Sequence, residues 1–250
     1  MLNIAKIVLG PVLLTQGRYV RRTALRLPEA TGPRDGVERA PDLPANMPPI
    51  RLLFVGDSSA AGVGVDSQEK ALAQQAARHV AEASSRAVHW QLVAKSGVNT
   101  TEALALVDCA ALQPADILVT ALGVNDVTSQ RSPQQFLADY RALVATVERK
   151  TGARGLIVNG LPPLHILPAA PQPLRWYLGQ CAFRLDRVLR HWVNAQELAS
   201  YVSLQWAAKP LEMARDKYHP GAGQYATWAG MVAGKAVQLL QSGLLQPRSA

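Results

Sequence analysis

With 250 residues, 48% of them hydrophobic, the chain can bury one substantial core, which excludes a disordered or fibrous protein. A formal net charge of +8 permits an anionic partner. Yet the Arg residues are spread along the chain, only 6% of residues are aromatic, and there is no basic run interleaved with aromatics and no finger or helix-turn-helix pattern, so no nucleic acid is expected. Cys109 and Cys181 form no CxxC and sit in no His cluster; this rules out a disulfide framework, gives no metal site, and leaves both as expected buried thiols.

In chain order, residues 1–27 join an apolar run, Ile7 to Leu14, to Lys6, Arg18, Arg21, Arg22 and Arg26, with no acidic residue. The run is too short to span a bilayer. Its basic residues mostly follow the apolar core and no Ala-x-Ala site comes after it, so it makes a poor cleavable signal peptide. Two readings stay open: peripheral contact of 1–27 with an anionic membrane surface, or an arm packed on the domain. The location expected is cytoplasmic or peripherally membrane-associated. Residues 27–49, rich in Pro with Gly, Asp, Glu and Ala, read as an extended linker. The expected organisation is therefore an arm and linker over 1–49 and a catalytic domain over 50–250.

Leu52-Leu53-Phe54-Val55-Gly56 reads as a strand buried on both faces, followed at Asp57-Ser58-Ser59 by a tight turn and a helix start among small residues. Ser58 then lies at the strand's carboxyl end, where open α/β sheets bind ligands and a helix N-terminus offers N–H groups to an anion. Taken alone, the same three polar residues read equally as helix caps. A helix is expected over 67–85, capped by Ser67, with Leu72, Ala76, His79, Val80 and Ala83 on one stripe. A strand over 88–93 leads into a loop holding Gly97, and Thr100 or Thr101 caps a helix to about 112. The apolar strand 116–122 ends in Gly123-Val124-Asn125-Asp126. An amphipathic helix over 133–150 and a strand over 155–159 follow.

Residues 161–174 mix apolar side chains with five prolines, which no helix or central strand tolerates; they read as an apolar loop and a candidate wall of a substrate pocket. A helix over 175–199, a strand over 201–205 and a helix over 224–240 complete the alternation. Ala226, Ala229, Gly230, Ala233, Gly234 and Ala236 let that last helix pack closely on a sheet. Five strands alternating with helices predict an α/β fold, a three-layer α/β/α sandwich around a five-stranded parallel sheet.

Each loop at the strand ends carries a residue type that acyl transfer needs. A serine hydroxyl becomes a nucleophile when a histidine takes its proton and a carboxylate fixes the histidine's tautomer. Ser58 is the candidate nucleophile, and Asp216 and His219, three apart in Asp216-Lys217-Tyr218-His219-Pro220, supply the pair. Pro220 disfavours a helical conformation at His219, leaving a loop whose side chains can point into a cleft. Backbone N–H groups at Ser58 and Gly97 and the side-chain amide of Asn125 can serve as the oxyanion hole. His79 and His191 fall within helices and His89 within a strand, and His165 reads as an ordinary residue of the proline loop.

The ordered set Gly56-Asp57-Ser58, Gly97, Gly123-Val124-Asn125-Asp126 and Asp216-Lys217-Tyr218-His219 resembles the four sequence blocks of the SGNH/GDSL hydrolases over roughly residues 50–240. Ser59 stands where the motif's name has Leu, a position outside the proton relay. The resemblance implies a flavodoxin-like SGNH hydrolase fold. It implies a catalytic triad of Ser58, His219 and Asp216 and an oxyanion hole from Ser58, Gly97 and Asn125, with Asp57 and Asp126 as structural neighbours. It implies no cofactor and no metal. The activity implied is a serine hydrolase cleaving carboxylic esters through an acyl-enzyme. The alternatives are an O-acyltransferase, a lysophospholipase or thioesterase on lipid-like acyl substrates, and a non-catalytic domain that kept the fold. The apolar loop favours a small-molecule ester with an acyl or aryl group larger than acetyl, and the basic N-terminus favours a lipid-like one.

Overall fold

The computed structural model describes residues 2–41, 47–243 and 245; the stretch 42–46 of the expected linker lies outside them. Helix α1 (Leu2–Thr23) is followed by strand β1 (Asp35–Glu38), β2 (Ile50–Gly56), α2 (Leu72–Ser84), β3 (Val88–Ala94), α3 (Thr100–Cys109) and β4 (Ile117–Ala121). Then come α4 (Val124–Thr128), α5 (Pro133–Thr151), β5 (Gly155–Asn159), α6 (Leu174–Asn194), β6 (Ala199–Val202) and α7 (Ala222–Gln241). The sheet order is β1-β3-β2-β4-β5-β6.

The sheet has six strands rather than the expected five, and it is not wholly parallel. β2 to β6 pair in parallel, whereas β1 runs antiparallel along β3, with Asp35 opposite Gln91 and Glu38 opposite Val88. β1 comes from the stretch read as an extended linker. Its Asp-Gly-Val-Glu sequence has no apolar alternation, because one edge strand with exposed and half-buried residues needs none.

Successive side chains of a strand point to opposite faces, and β2 uses both. Leu52 and Phe54 enter a core made with α2 and α7, while Leu53 and Val55 enter a second core made with α3, α5 and α6. A near-continuous apolar run is what such a doubly covered strand requires. On α2 the buried stripe is Leu72, Ala73, Ala76, Ala77, Val80 and Ala81; His79 and Ala83 turn away from it. On α7, Ala229, Ala233 and Ala236 are buried, but Ala226, Gly230 and Gly234 face solvent, so only half of that small-residue set serves close packing.

Caps and ends differ from expectation in detail. Asn99, not a threonine, caps α3, and with Glu102 it closes a capping box. α3 stops at Cys109, α6 stops at Asn194, and β6 covers 199–202 rather than 201–205. No α-helix starts at Ser58: residues 57–65 form successive turns, with Ala61 N–H donating to Asp57 C=O and Val63 N–H to Ser58 C=O. Gly62 and Gly64 sit at φ +83° and +111°, a left-handed region that breaks a right-handed helix. Cys109 is exposed and Cys181 half-buried, so the expectation of buried thiols does not hold for Cys109.

Candidate active site

The parallel register brings the strand ends level. Gly56 pairs with Ala94 and with Ala121, and Ala121 with Asn159. The loops that follow β2, β3, β4 and β5 therefore leave the sheet along one edge, and the segment between β6 and α7 closes over the same end. Residues distant in sequence meet there.

Ser58 Oγ lies 2.8 Å from His219 Nε2, and His219 Nδ1 lies 2.6 Å from Asp216 Oδ2. Asp216 Oδ1 also accepts from the backbone N–H groups of Tyr218 and His219, each at 3.0 Å. The three-residue spacing thus makes a small turn that holds the carboxylate against the imidazole by side chain and main chain together. Ala214 N–H donates to His219 C=O at 2.9 Å, and Lys217 completes the turn at φ +56°. Burial raises the Asp216 carboxyl, but the bonds from His219 and Tyr218 outweigh it and hold it below the ordinary carboxylate value. An ionised carboxylate only accepts hydrogen bonds, so Nδ1 carries the imidazole proton and Nε2 is free to accept from the Ser58 hydroxyl.

The capping role weighed for this turn falls to Asp57 rather than Ser58. Asp57 Oδ1 accepts from Ser59 N–H at 2.9 Å and Ser59 Oγ at 2.7 Å. Burial pushes the Asp57 carboxyl up against those bonds. From α7, the Tyr225 hydroxyl lies 2.8 Å from both the Ser59 and Val63 carbonyl oxygens, pinning the turn from behind.

The three expected oxyanion donors differ in state. The N–H groups of Ser58 and Gly97 donate to no protein acceptor among the described residues. Gly97 stands at φ +85°, a conformation that disfavours any side chain. Asn125 commits one N–H to Val98 C=O at 2.9 Å; its other faces Asp57 Oδ2 at 3.4 Å, long for a hydrogen bond. Beside it, Asp126 is fully buried and accepts from Thr100 N–H and Thr100 Oγ1, tying the β4 loop to the start of α3. Burial, opposed by those bonds, pushes its carboxyl up to about 6.

Two residues outside all four sequence blocks also reach the site. Glu29 Oε1 accepts from Ser96 N–H at 2.6 Å, and Arg34, ion-paired with Glu29, donates to Ala94 C=O at 2.5 Å. The stretch before β1 therefore clamps the loop that holds Gly97. Burial opposes ionisation of Glu29, yet the Ser96 and Arg34 contacts hold its carboxyl below the ordinary value. A contact spanning 67 residues leaves no local sequence signal.

Ser58 and His219 open onto a cleft of about 820 Å³, open mouth included. Its walls are apolar: Pro162, Pro163, Leu164, Ile166 and Leu167 on one side, Leu204, Trp206 and Met213 on another. The proline-rich loop is a wall, as its composition predicts. Neither Gly97 nor Asn125 lines this cleft, whereas Ser58, the third candidate donor, does. His165 is exposed and off the cleft, and His79, half-buried on α2, faces Glu82 at 3.4 Å. Among the described residues no group of three His, Cys, Asp or Glu side chains is placed to hold a metal ion.

A family model of GDSL-like lipases and acylhydrolases matches residues 54–227, from β2 into α7. The chain belongs to the GDSL-like lipase/acylhydrolase family. A GDSL-like esterase of Mycobacterium tuberculosis is 28% identical over 193 residues, which is 73% of this chain and 60% of that protein. The chain thus matches less than two thirds of that relative's length. Among solved structures, a putative arylesterase from Agrobacterium tumefaciens aligns at TM-score 0.60 with 18% identity, over 76% of this chain and 100% of that one. A lipase/acylhydrolase from Enterococcus faecalis aligns at 0.55 with 17% identity, over 80% and 100%. At these identities the likeness establishes a shared fold, that of the GDSL family. β1 and the Glu29 and Arg34 clamp precede the matched region.

Proposed function

We propose that the protein is a serine hydrolase that cleaves carboxylic esters bearing an apolar acyl or aryl group. The observation that carries this reading is the Ser58–His219–Asp216 chain of contacts, 2.8 and 2.6 Å long, at the mouth of an apolar cleft. Family membership and the esterase relative support the reaction class.

In this reading Ser58 Oγ attacks the ester carbonyl carbon while His219 Nε2 takes the hydroxyl proton. Asp216 keeps Nδ1 protonated and stabilises the imidazolium. The charge that collects on the carbonyl oxygen is met by the free N–H groups of Ser58 and Gly97 and by the Asn125 N–H that is not held by Val98, which would exchange its long contact with Asp57 for the oxyanion. Collapse of the tetrahedral species breaks the bond to the alkoxy oxygen, which leaves as an alcohol with the proton from His219. Water then attacks the acyl-Ser58 carbonyl with His219 as base, returning the serine and releasing the carboxylic acid.

The test is hydrolysis of p-nitrophenyl esters of increasing acyl length by the wild type and Ser58→Ala. Each additional methylene buried in the cleft is expected to raise kcat/KM by about fourfold, the equivalent of about 0.8 kcal/mol, until the cleft is filled. The serine variant is expected to be inactive throughout. Unchanged turnover in that variant removes Ser58 from the reaction. A preference for acetate over longer chains assigns the cleft to something other than the acyl group. Transfer to an added alcohol without hydrolysis identifies an acyltransferase instead.

A further inference from the structure

Helix α1 is only half accounted for by the fold. One side docks on α6: Leu13 is buried with Leu174 and Tyr177, and Leu9 and Val20 pack against them. Gln16 Nε2 donates to Gln172 C=O at 2.7 Å, and Gln16 Oε1 accepts from Leu174 N–H at 3.0 Å. The helix is therefore fastened to the end of the loop that walls the cleft, as the packed-arm reading requires.

The opposite side carries Ile7, Val8, Val12 and Leu14 at 78%, 70%, 45% and 64% exposure. At 100° per residue these four cover an arc of about 160°, centred opposite Leu13. Apolar side chains this exposed are normal when scattered, but four within eight residues on one face mark a contact surface. The basic residues follow, Arg18, Arg21 and Arg22 in the next turns of the helix and Arg26 just past its end at Thr23, and no acidic residue occurs before Glu29. None of these four arginines forms an ion pair among the described residues. No described helix is long and apolar enough to cross a membrane.

An apolar outer face continued by an unpaired basic end, on a helix that does not span, matches the chemistry of an anionic bilayer surface. Arginine's long stem lets its charged head stay at the phosphates while the apolar residues sit lower. We propose that α1 lies in the plane of an anionic lipid surface. Ile7, Val8, Val12 and Leu14 enter the boundary between headgroups and acyl chains, and Arg18, Arg21, Arg22 and Arg26 meet the lipid phosphates. The same helix stays docked on α6 through Leu13 and Gln16. This inference stands apart from the catalytic reading, since none of these residues touches the Ser58 cleft.

The full chain is sedimented with vesicles of phosphatidylcholine alone and of phosphatidylcholine with about a third phosphatidylglycerol. Binding to the anionic vesicles is expected, falling as salt rises because exposed charges are screened. Replacing Arg18, Arg21 and Arg22 together by Gln is expected to weaken partitioning by about 100-fold, since each basic residue near such a surface contributes about a factor of five. Ile7→Asp with Val8→Asp is expected to abolish it. Both variants change exposed positions, and unaltered far-ultraviolet circular dichroism and thermal midpoint confirm that they fold. Absence of wild-type binding to anionic vesicles overturns the inference, as does binding that neither variant weakens or that is equal on neutral vesicles. A concentration-dependent dimer lost in the Ile7 and Val8 variant, without vesicle binding, assigns the face to a second copy and overturns it too.

Discussion

Charge is handled in opposite ways at the carboxyl end of the sheet and on the outer face of α1. Around Ser58 each carboxylate is answered: Asp216 by His219 and two backbone N–H groups, Asp126 by Thr100, Glu29 by Ser96 and Arg34. On α1 and just past its end, Arg18, Arg21, Arg22 and Arg26 stand without an ionic partner among the described residues, near exposed Ile7, Val8 and Leu14. Paired charges in a buried setting fix geometry, which is what a reacting centre needs. Unpaired charges in water are open to an external counter-charge. The two regions should respond differently to substitution.

The sharpest break is expected from Ser58→Ala, which should lower kcat/KM on a soluble p-nitrophenyl ester by about 10⁴-fold or more, because the proton relay then has nothing to activate. Asn125→Ala should cost about 2.7 to 4 kcal/mol of transition-state stabilisation, seen mainly in kcat; wild-type kcat would remove its amide from the oxyanion hole.

Asp126 offers a test by stability rather than rate. Its folded carboxyl is raised to about 6 from an ordinary 3.8, so between those pH values the folded chain holds a proton that the unfolded chain has lost. The stabilisation from that proton is present below about pH 4 and disappears as pH rises through 6, a loss of about 3 kcal/mol. Asp126→Asn should flatten that dependence in urea titrations at pH 4.5 and 7; an unchanged slope would show that the carboxyl titrates normally. Asp216 works with the opposite sign, since its lowered carboxyl adds stability that is lost as pH falls through its folded value.

Smaller effects follow at the periphery. Glu29→Ala should loosen the loop holding Gly97 and lower kcat about tenfold on the same ester with little change in KM. Equal kcat would confine Glu29 to a fold role. Smallest of all, replacing Arg18, Arg21 and Arg22 by Gln should leave hydrolysis of a soluble ester unaltered. A large loss there would mean that α1 acts on the cleft itself.

What was legible in the sequence tracks how local the signal is. β5 matches its expected bounds, and the apolar runs of β2 and β4 mark doubly covered strands, because burial on both faces writes itself into consecutive residues. That Ser58, Asp216 and His219 meet at one end of the sheet was readable because each lies in a short polar block after a strand or in a turn. β1 was not, since an exposed edge strand imposes no hydrophobic period. The turns after Ser58 depend on left-handed Gly62 and Gly64, whose small-residue context also suits a helix start. Glu29 and Tyr225 reach the site across 67 and 166 residues, and only the packed fold brings such pairs together.

That Ser58 is the nucleophile activated by His219 is tested by treating the wild type with a fluorophosphonate and locating the covalent adduct by peptide mass spectrometry. The account predicts a single adduct on the peptide containing Ser58, absent in Ser58→Ala and strongly slowed in His219→Ala. Labelling at another residue, or equal labelling of Ser58→Ala, would contradict it.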